Sequence, residues 1–148
     1  MAKQIRSMTE LNSVMEKYCY EIIDKAGQKV KEKIEEFIRE YYREYTPNQY
    51  QRVWKFLNSV VKTEPKKTSN GYKVEVYIDT SLVYQNGWTM EGTAVQANRG
   101  WHGWYHAVQV SDQHFWDDAL REVPEIVADV VKSFIGFMSN KGMNISAK

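Results

Sequence analysis

The chain reads as a single α+β domain. Its parts are a long N-terminal helix, an antiparallel β-hairpin or small sheet, a long aromatic loop and a kinked C-terminal helix packing on the sheet. Three observations predict this. Apolar residues recur at three- and four-residue steps over residues 9–45 and again over 111–140, the stripe of an amphipathic helix. Between these stretches Tyr72, Val74, Val76 and Ile78 alternate with Lys73, Glu75, Tyr77 and Asp79, the period of a half-buried strand. The length of 148 residues suits one domain with a real core.

The first stripe runs through Leu11, Val14, Met15, Tyr18, Ile22, Ile23, Ala26, Val30, Ile34, Phe37, Ile38, Tyr41 and Tyr45. Ser7 or Thr9 suits the N-cap, and Thr46-Pro47 ends the helix because a residue before proline is pushed out of the helical region. Gly27 costs ~1 kcal/mol against alanine inside a helix, so it marks a bend or a close contact. The outer face from Lys29 to Glu44 reads as solvated, with Lys31/Glu35 and Glu35/Arg39 four apart. A helix of this length is ~50 Å long, while a compact domain of this size has a radius of gyration of ~15 Å. The rod therefore projects, bends, or packs on another subunit.

Residues 50–57 fit a short helix or a strand. The β region follows over 57–110, with strands at 60–64 and 72–79 joined by the turn formers of 65–71. Residues 80–111 read as irregular, with turn signals at Asn86-Gly87 and Arg99-Gly100 and the aromatic run Trp101-His-Gly-Trp-Tyr-His106. A loop this long is usually functional or mobile. Ser111 or Asp112 caps the last helix, 111–140, which has a wide apolar face and which Pro124 kinks or divides. Asn140-Lys-Gly142 stops it, and 141–148 is a loose tail.

Twenty basic and 19 acidic residues leave a net charge of +1, which argues against a protein that coats nucleic acid. Cys19 is the sole cysteine, so no intrachain disulfide forms and a reducing compartment is expected. Neither a secretion signal nor a membrane span is expected, since no long apolar run occurs. Four of the five tryptophans fall within 88–116, where interface and monomer core are equal readings.

Chemistry-bearing residues are sparse. His102, His106 and His114 with Glu91, Asp112 and Asp117 are the best metal candidates, but they lack the spacing of a zinc site. Cys19 lies beside the apolar stripe and reads as an inert buried thiol. Asp117-Asp118 opens a helix, where carboxylates suit the dipole. The expectation is no enzyme, no metal and no cofactor.

One family resemblance adds to this. Tyr45-Thr-Pro-Asn-Gln-Tyr50-Gln-Arg52, Leu57-Asn-Ser59, Glu91-Gly92-Thr93 and Phe115-Trp-Asp-Asp-Ala119-Leu120 follow one another between helix, hairpin and final helix. That order resembles the small head–tail joining proteins of long-tailed phages, also called tail-completion or minor tail components. The stretch Asn98-Arg-Gly-Trp-His-Gly103 is similar to one in some members. The likeness spans most of 10–138. It departs at Val53, where members often have Thr, and in a longer stretch between Thr93 and Ser111.

The resemblance implies a structural virion component at the capsid–tail junction, assembled in the host cytoplasm as a ring, commonly six-fold, around the DNA channel. Its partners would be further copies of itself and head-completion, tail-terminator or tail-tube proteins, with at most weak contact with DNA and none with membrane. The family-motif positions are Tyr50, Arg52, Ser59, Glu91, Gly92 and Thr93, and no catalytic residues transfer. A closed ring needs one patch to meet a different patch on the next copy. Helix one and the 86–106 loop are the expected patches, with Trp88, Trp101, His102 and Trp104 as interface residues. Alternatives are a soluble protein-binding module using the same loop on a host or phage partner, a histidine-dependent metal enzyme, and phosphate contact through Lys62, Lys66, Lys67 and Lys73.

Overall fold

Helix α1, Met8–Arg43, is 36 residues long, ~54 Å at 1.5 Å per residue. The computed structural model describes residues 7–43, 55–83, 89–102, 108–109 and 114–140. The expected stop at Thr46-Pro47, the caps at Ser111 or Asp112, and the 141–148 tail lie outside these. Ser7 is the N-cap: its Oγ accepts from the Glu10 amide at 3.1 Å. Pairs Lys31–Glu35 and Arg39–Glu35 form on the outer face, at 3.5 and 3.7 Å.

Two elements flank α1. The first is a hairpin that follows a 3-10 turn, Leu57–Ser59. Strand β1 (Val60–Lys62) pairs antiparallel with β4 (Val76–Ile78), Val60 opposite Ile78 and Lys62 opposite Val76. Further out, β2 (Lys66–Lys67) pairs with β3 (Tyr72–Lys73), Lys66 opposite Lys73. Three residues, 63–65, therefore oppose two, 74–75. This is a bulge, and it holds Pro65, which has no amide to give to a ladder. Thr63 closes it from both sides: its amide donates to the Glu75 carbonyl at 2.9 Å, and its Oγ1 accepts from the Glu75 amide at 3.0 Å.

Gly27 explains how closely the hairpin lies on α1. A Cβ at this position would stand 2.9 Å from both methyls of Val74 and 3.2 Å from Lys62 Cδ. The glycine serves close approach, the second of its two expected roles. Polar clamps flank it. Tyr20 donates to Glu64 at 3.0 Å and stacks edge-on against Tyr72. Lys67 reaches Glu16 at 2.6 Å, and Lys62 pairs with Asp24.

The second flanking element is α3, Phe115–Asn140. Tyr18 meets Phe137 edge-on with ring centroids 4.9 Å apart, and Lys33 meets Glu122 at 3.4 Å. These contacts are fifteen residues apart on each helix, so α3 runs antiparallel along α1 and packs mainly on that helix, where the sequence placed it on the sheet. Pro124 lies within α3, on its exposed side, without dividing it.

The core sits where α1 ends and α3 begins. Ile34, Ile38, Tyr41 and Tyr42 pack with Phe56, Val60, Met90, Ala97, Phe115 and Ala119. Phe56 is its hub, edge-on to Tyr41, Tyr42 and Phe115 at 6.3, 6.2 and 5.3 Å.

Two further expectations are corrected. The irregular stretch contains a nine-residue helix, α2, Met90–Asn98. It forms because Thr89 caps its start and Met90 and Ala97 bury on the core. Cys19 is exposed, not buried. It falls between the Tyr18 side of α1, which meets α3, and the Tyr20 side, which meets the hairpin.

Candidate functional site

The sequence singled out the region that α2 and the start of α3 now organise. Thr89 Oγ1 accepts from the Gly92 amide at 3.1 Å, and Thr93 Oγ1 donates to the Thr89 carbonyl at 3.2 Å. Glu91 is exposed in the first turn, where the helix dipole favours a carboxylate. The motif Glu91-Gly92-Thr93 is thus a helix start. Gly100 ends the helix with φ 74, the left-handed conformation glycine adopts freely, and its amide donates to the Ala97 carbonyl at 2.9 Å. That reversal leads into β5, Trp101–His102, which pairs with β6, Val108–Gln109.

Trp101 is the one expected interface tryptophan among the described residues. Its carbonyl accepts from the Tyr41 hydroxyl at 2.8 Å, so the buried end of α1 pins its backbone. Its side chain remains 41% exposed. The structure thus favours surface over core for this ring. Trp88, Trp104, Tyr50, Arg52, His106 and the His102 side chain lie outside the described residues. Ser59 is fully buried and donates to the Phe56 carbonyl at 2.6 Å, so it shapes the turn that places Phe56.

Asn98, which no local sequence pattern singles out, carries the junction. Its Oδ1 accepts from the amides of Trp116 (2.9 Å) and Asp117 (3.3 Å), which caps α3 from another element. Its Nδ2 donates to Asp117 at 3.2 Å. Its carbonyl lies 2.6 Å from His114 Nδ1, which must carry the proton since a carbonyl only accepts. The His114 amide donates to Asp118 at 3.0 Å. Asn98→Ala is expected to cost about 1–2 kcal/mol, read as a lower urea midpoint at unchanged slope. Unchanged stability would mean that the cap is not formed.

Among the described residues, no group of three or more His, Cys, Asp or Glu side chains converges to hold a metal. Charge acts instead on the hairpin. Its hydrogen bond to Lys73 holds Glu75 below the ordinary carboxylate range. The bond to Glu16 raises Lys67, and donation to Glu64 raises Tyr20. The Lys67–Glu16 and Tyr20–Glu64 pairs join the hairpin to α1, and Lys73–Glu75 lies within the hairpin.

A family model, YomN, matches residues 7–140. The chain belongs to the YomN family. No curated protein and no solved structure matches it. In this YomN-family chain the matched stretch begins and ends with the first and last helices, so both flanks of α1 fall inside it.

The same stretch holds a surface that sequence patterning did not isolate. Leu120, Val127 and Val131 on α3 are 49%, 45% and 38% exposed. The wide apolar face of α3 was legible, but not which part of it α1 would leave uncovered. Tyr77 and Val83 are also exposed. No helix among the described residues is long and apolar enough to cross a membrane.

Proposed function

We propose that this YomN-family chain is a non-catalytic structural subunit that assembles with copies of itself, as a ring at a phage capsid–tail junction. One observation carries the assembly reading: α3 keeps a row of large aliphatic side chains open to water. Apolar area removed from water stabilises by ~25 cal/mol per Å², and large contiguous exposed patches on a folded chain mark interaction sites. Exposed Trp101, its backbone carbonyl held by Tyr41, supplies an aromatic of the type favoured in interface cores.

The place at the junction is supported by the likeness of the ordered motifs from Tyr45 to Leu120 to head–tail joining proteins. The same likeness makes head-completion, tail-terminator or tail-tube proteins its neighbours, with assembly in the host cytoplasm. A net charge of +1 suits a ring that surrounds DNA without gripping it.

The mass of the purified chain in solution tests this. A discrete multiple of 17.4 kDa is expected. A chain that stayed monomeric, yet bound one foreign protein through Trp101, would instead be a binding module.

A further inference from the structure

We propose that Asn70, at the tip of the hairpin, is a site of spontaneous covalent modification, its side-chain amide being lost through a cyclic imide to leave aspartate or isoaspartate. The proposal is independent of the assembly reading.

Strand register places the dipeptide Asn70-Gly71. Lys67 pairs with Tyr72 across β2 and β3, and the Thr68 amide donates to the Gly71 carbonyl at 2.7 Å. Ser69 and Asn70 are therefore the two loop residues, and Gly71 opens the returning arm. The reciprocal bond of such a turn would run from the Gly71 amide to the Thr68 carbonyl. Among the described residues, the Gly71 amide donates to no acceptor. Asn70 is exposed, and a Cβ at Gly71 would meet no atom within 4 Å. The attacking nitrogen is thus unbonded and open to water, with no side chain of its own in the way.

The chemistry balances without any oxidant or cofactor. Base removes the Gly71 amide proton, and that nitrogen attacks Asn70 Cγ. The new N–Cγ bond closes a five-membered imide, the Cγ–Nδ2 bond breaks, and the nitrogen leaves as ammonia with a proton from water. Water then opens the ring at either carbonyl. One opening leaves aspartate in the normal backbone. The other leaves isoaspartate, which routes the chain through the side-chain carbon. Either product is an ionised carboxylate that cancels the net charge of +1. It arises beside the Lys67–Tyr72 pair, whose side chains meet Glu16 and Tyr20 of α1.

Two other asparagines supply internal controls, because the fold ties down the nitrogen that would attack. Asn58 precedes the fully buried Ser59, whose amide donates to the Phe56 carbonyl at 3.1 Å. Asn98 precedes Arg99, whose amide donates to the Val95 and Gln96 carbonyls at 3.2 and 3.1 Å. The Asn98 side chain is itself held by the amides of Trp116 and Asp117.

Peptide mapping by mass spectrometry tests this on the intact chain, incubated folded and in urea at neutral and mildly basic pH. Comparing each site with itself in urea cancels the effect of the neighbouring residue. Asn58 and Asn98 are expected to convert ~10-fold or more slowly in the folded chain than in urea. Asn70 is expected to show less than ~10-fold protection, to convert first of the three, and to speed up as pH rises. Asn70→Ser, at an exposed position, should keep the parent's thermal melt and remove the acidic form that maps to this site. The other Asn-Gly dipeptide, Asn86-Gly87, lies outside the described residues and is scored on its own peptide. An Asn70 protected ~10-fold or more by folding, or one that stays unconverted while Asn58 and Asn98 react, would overturn the proposal.

Discussion

Phe56→Ala is expected to lower stability by about 3–5 kcal/mol, the usual cost of emptying a buried phenylalanine site. The ring is 1% exposed and meets three others edge-on, from Tyr41, Tyr42 and Phe115. It is the residue through which the end of α1 and the start of α3 touch the hairpin's base. Its loss leaves a cavity that large rings cannot collapse to fill, and it also forfeits aromatic pairing worth ~1 kcal/mol per pair. Stability of a domain totals only about 5–15 kcal/mol, so the variant should be partly unfolded at modest urea. Urea unfolding followed by tryptophan fluorescence measures this. A midpoint within experimental error of the parent's would mean that Phe56 is not the hub.

Gly27→Val is expected to destabilise by about 2 kcal/mol or more, against the sense of helix propensity. Replacing a helical glycine normally helps, by up to ~1 kcal/mol for alanine. Here the first added carbon would lie 2.9 Å from both Val74 methyls, and valine adds two more. The hairpin must retreat, which weakens the Lys62–Asp24 and Tyr20–Glu64 pairs beside it. Overpacking of this type costs about 1–3 kcal/mol. Val74→Ala should restore part of the loss, since residues in contact are coupled. A stabilised Gly27→Val, or no rescue by Val74→Ala, would show that the close approach is absent.

The long helices and the main strands were legible because burial along one side imposes a period on the sequence. The stripe from Val14 to Tyr41 and the alternation from Tyr72 to Asp79 write that period plainly. Helix α2 was not legible. It has nine residues, buries Met90 and Ala97, and includes the weak helix formers Gly92 and Thr93. Its signals are local chemistry, Thr89 before it and Arg99-Gly100 after it, and Arg99-Gly100 reads equally well as a turn between strands. The bulge at 63–65 depends on pairing register, which one strand cannot reveal.

The site divides in the same way. Glu91, Gly92 and Thr93 stand out in the sequence as a motif, and only the backbone gives their role as a capped helix start. Asn98 caps amides that lie 18 and 19 residues away, an interaction with no local pattern. Cys19 and the α3 row share one cause. An apolar stripe shows that a helix face has partners, but the packing angle decides which residues of that face go uncovered.

Self-assembly is the claim on which the functional reading rests, and native mass spectrometry of the intact chain across a concentration series tests it most directly. The expected spectrum is dominated by one closed species at a fixed multiple of 17.4 kDa, which grows with concentration at the expense of monomer. A spectrum holding only the 17.4 kDa chain at every concentration would contradict it.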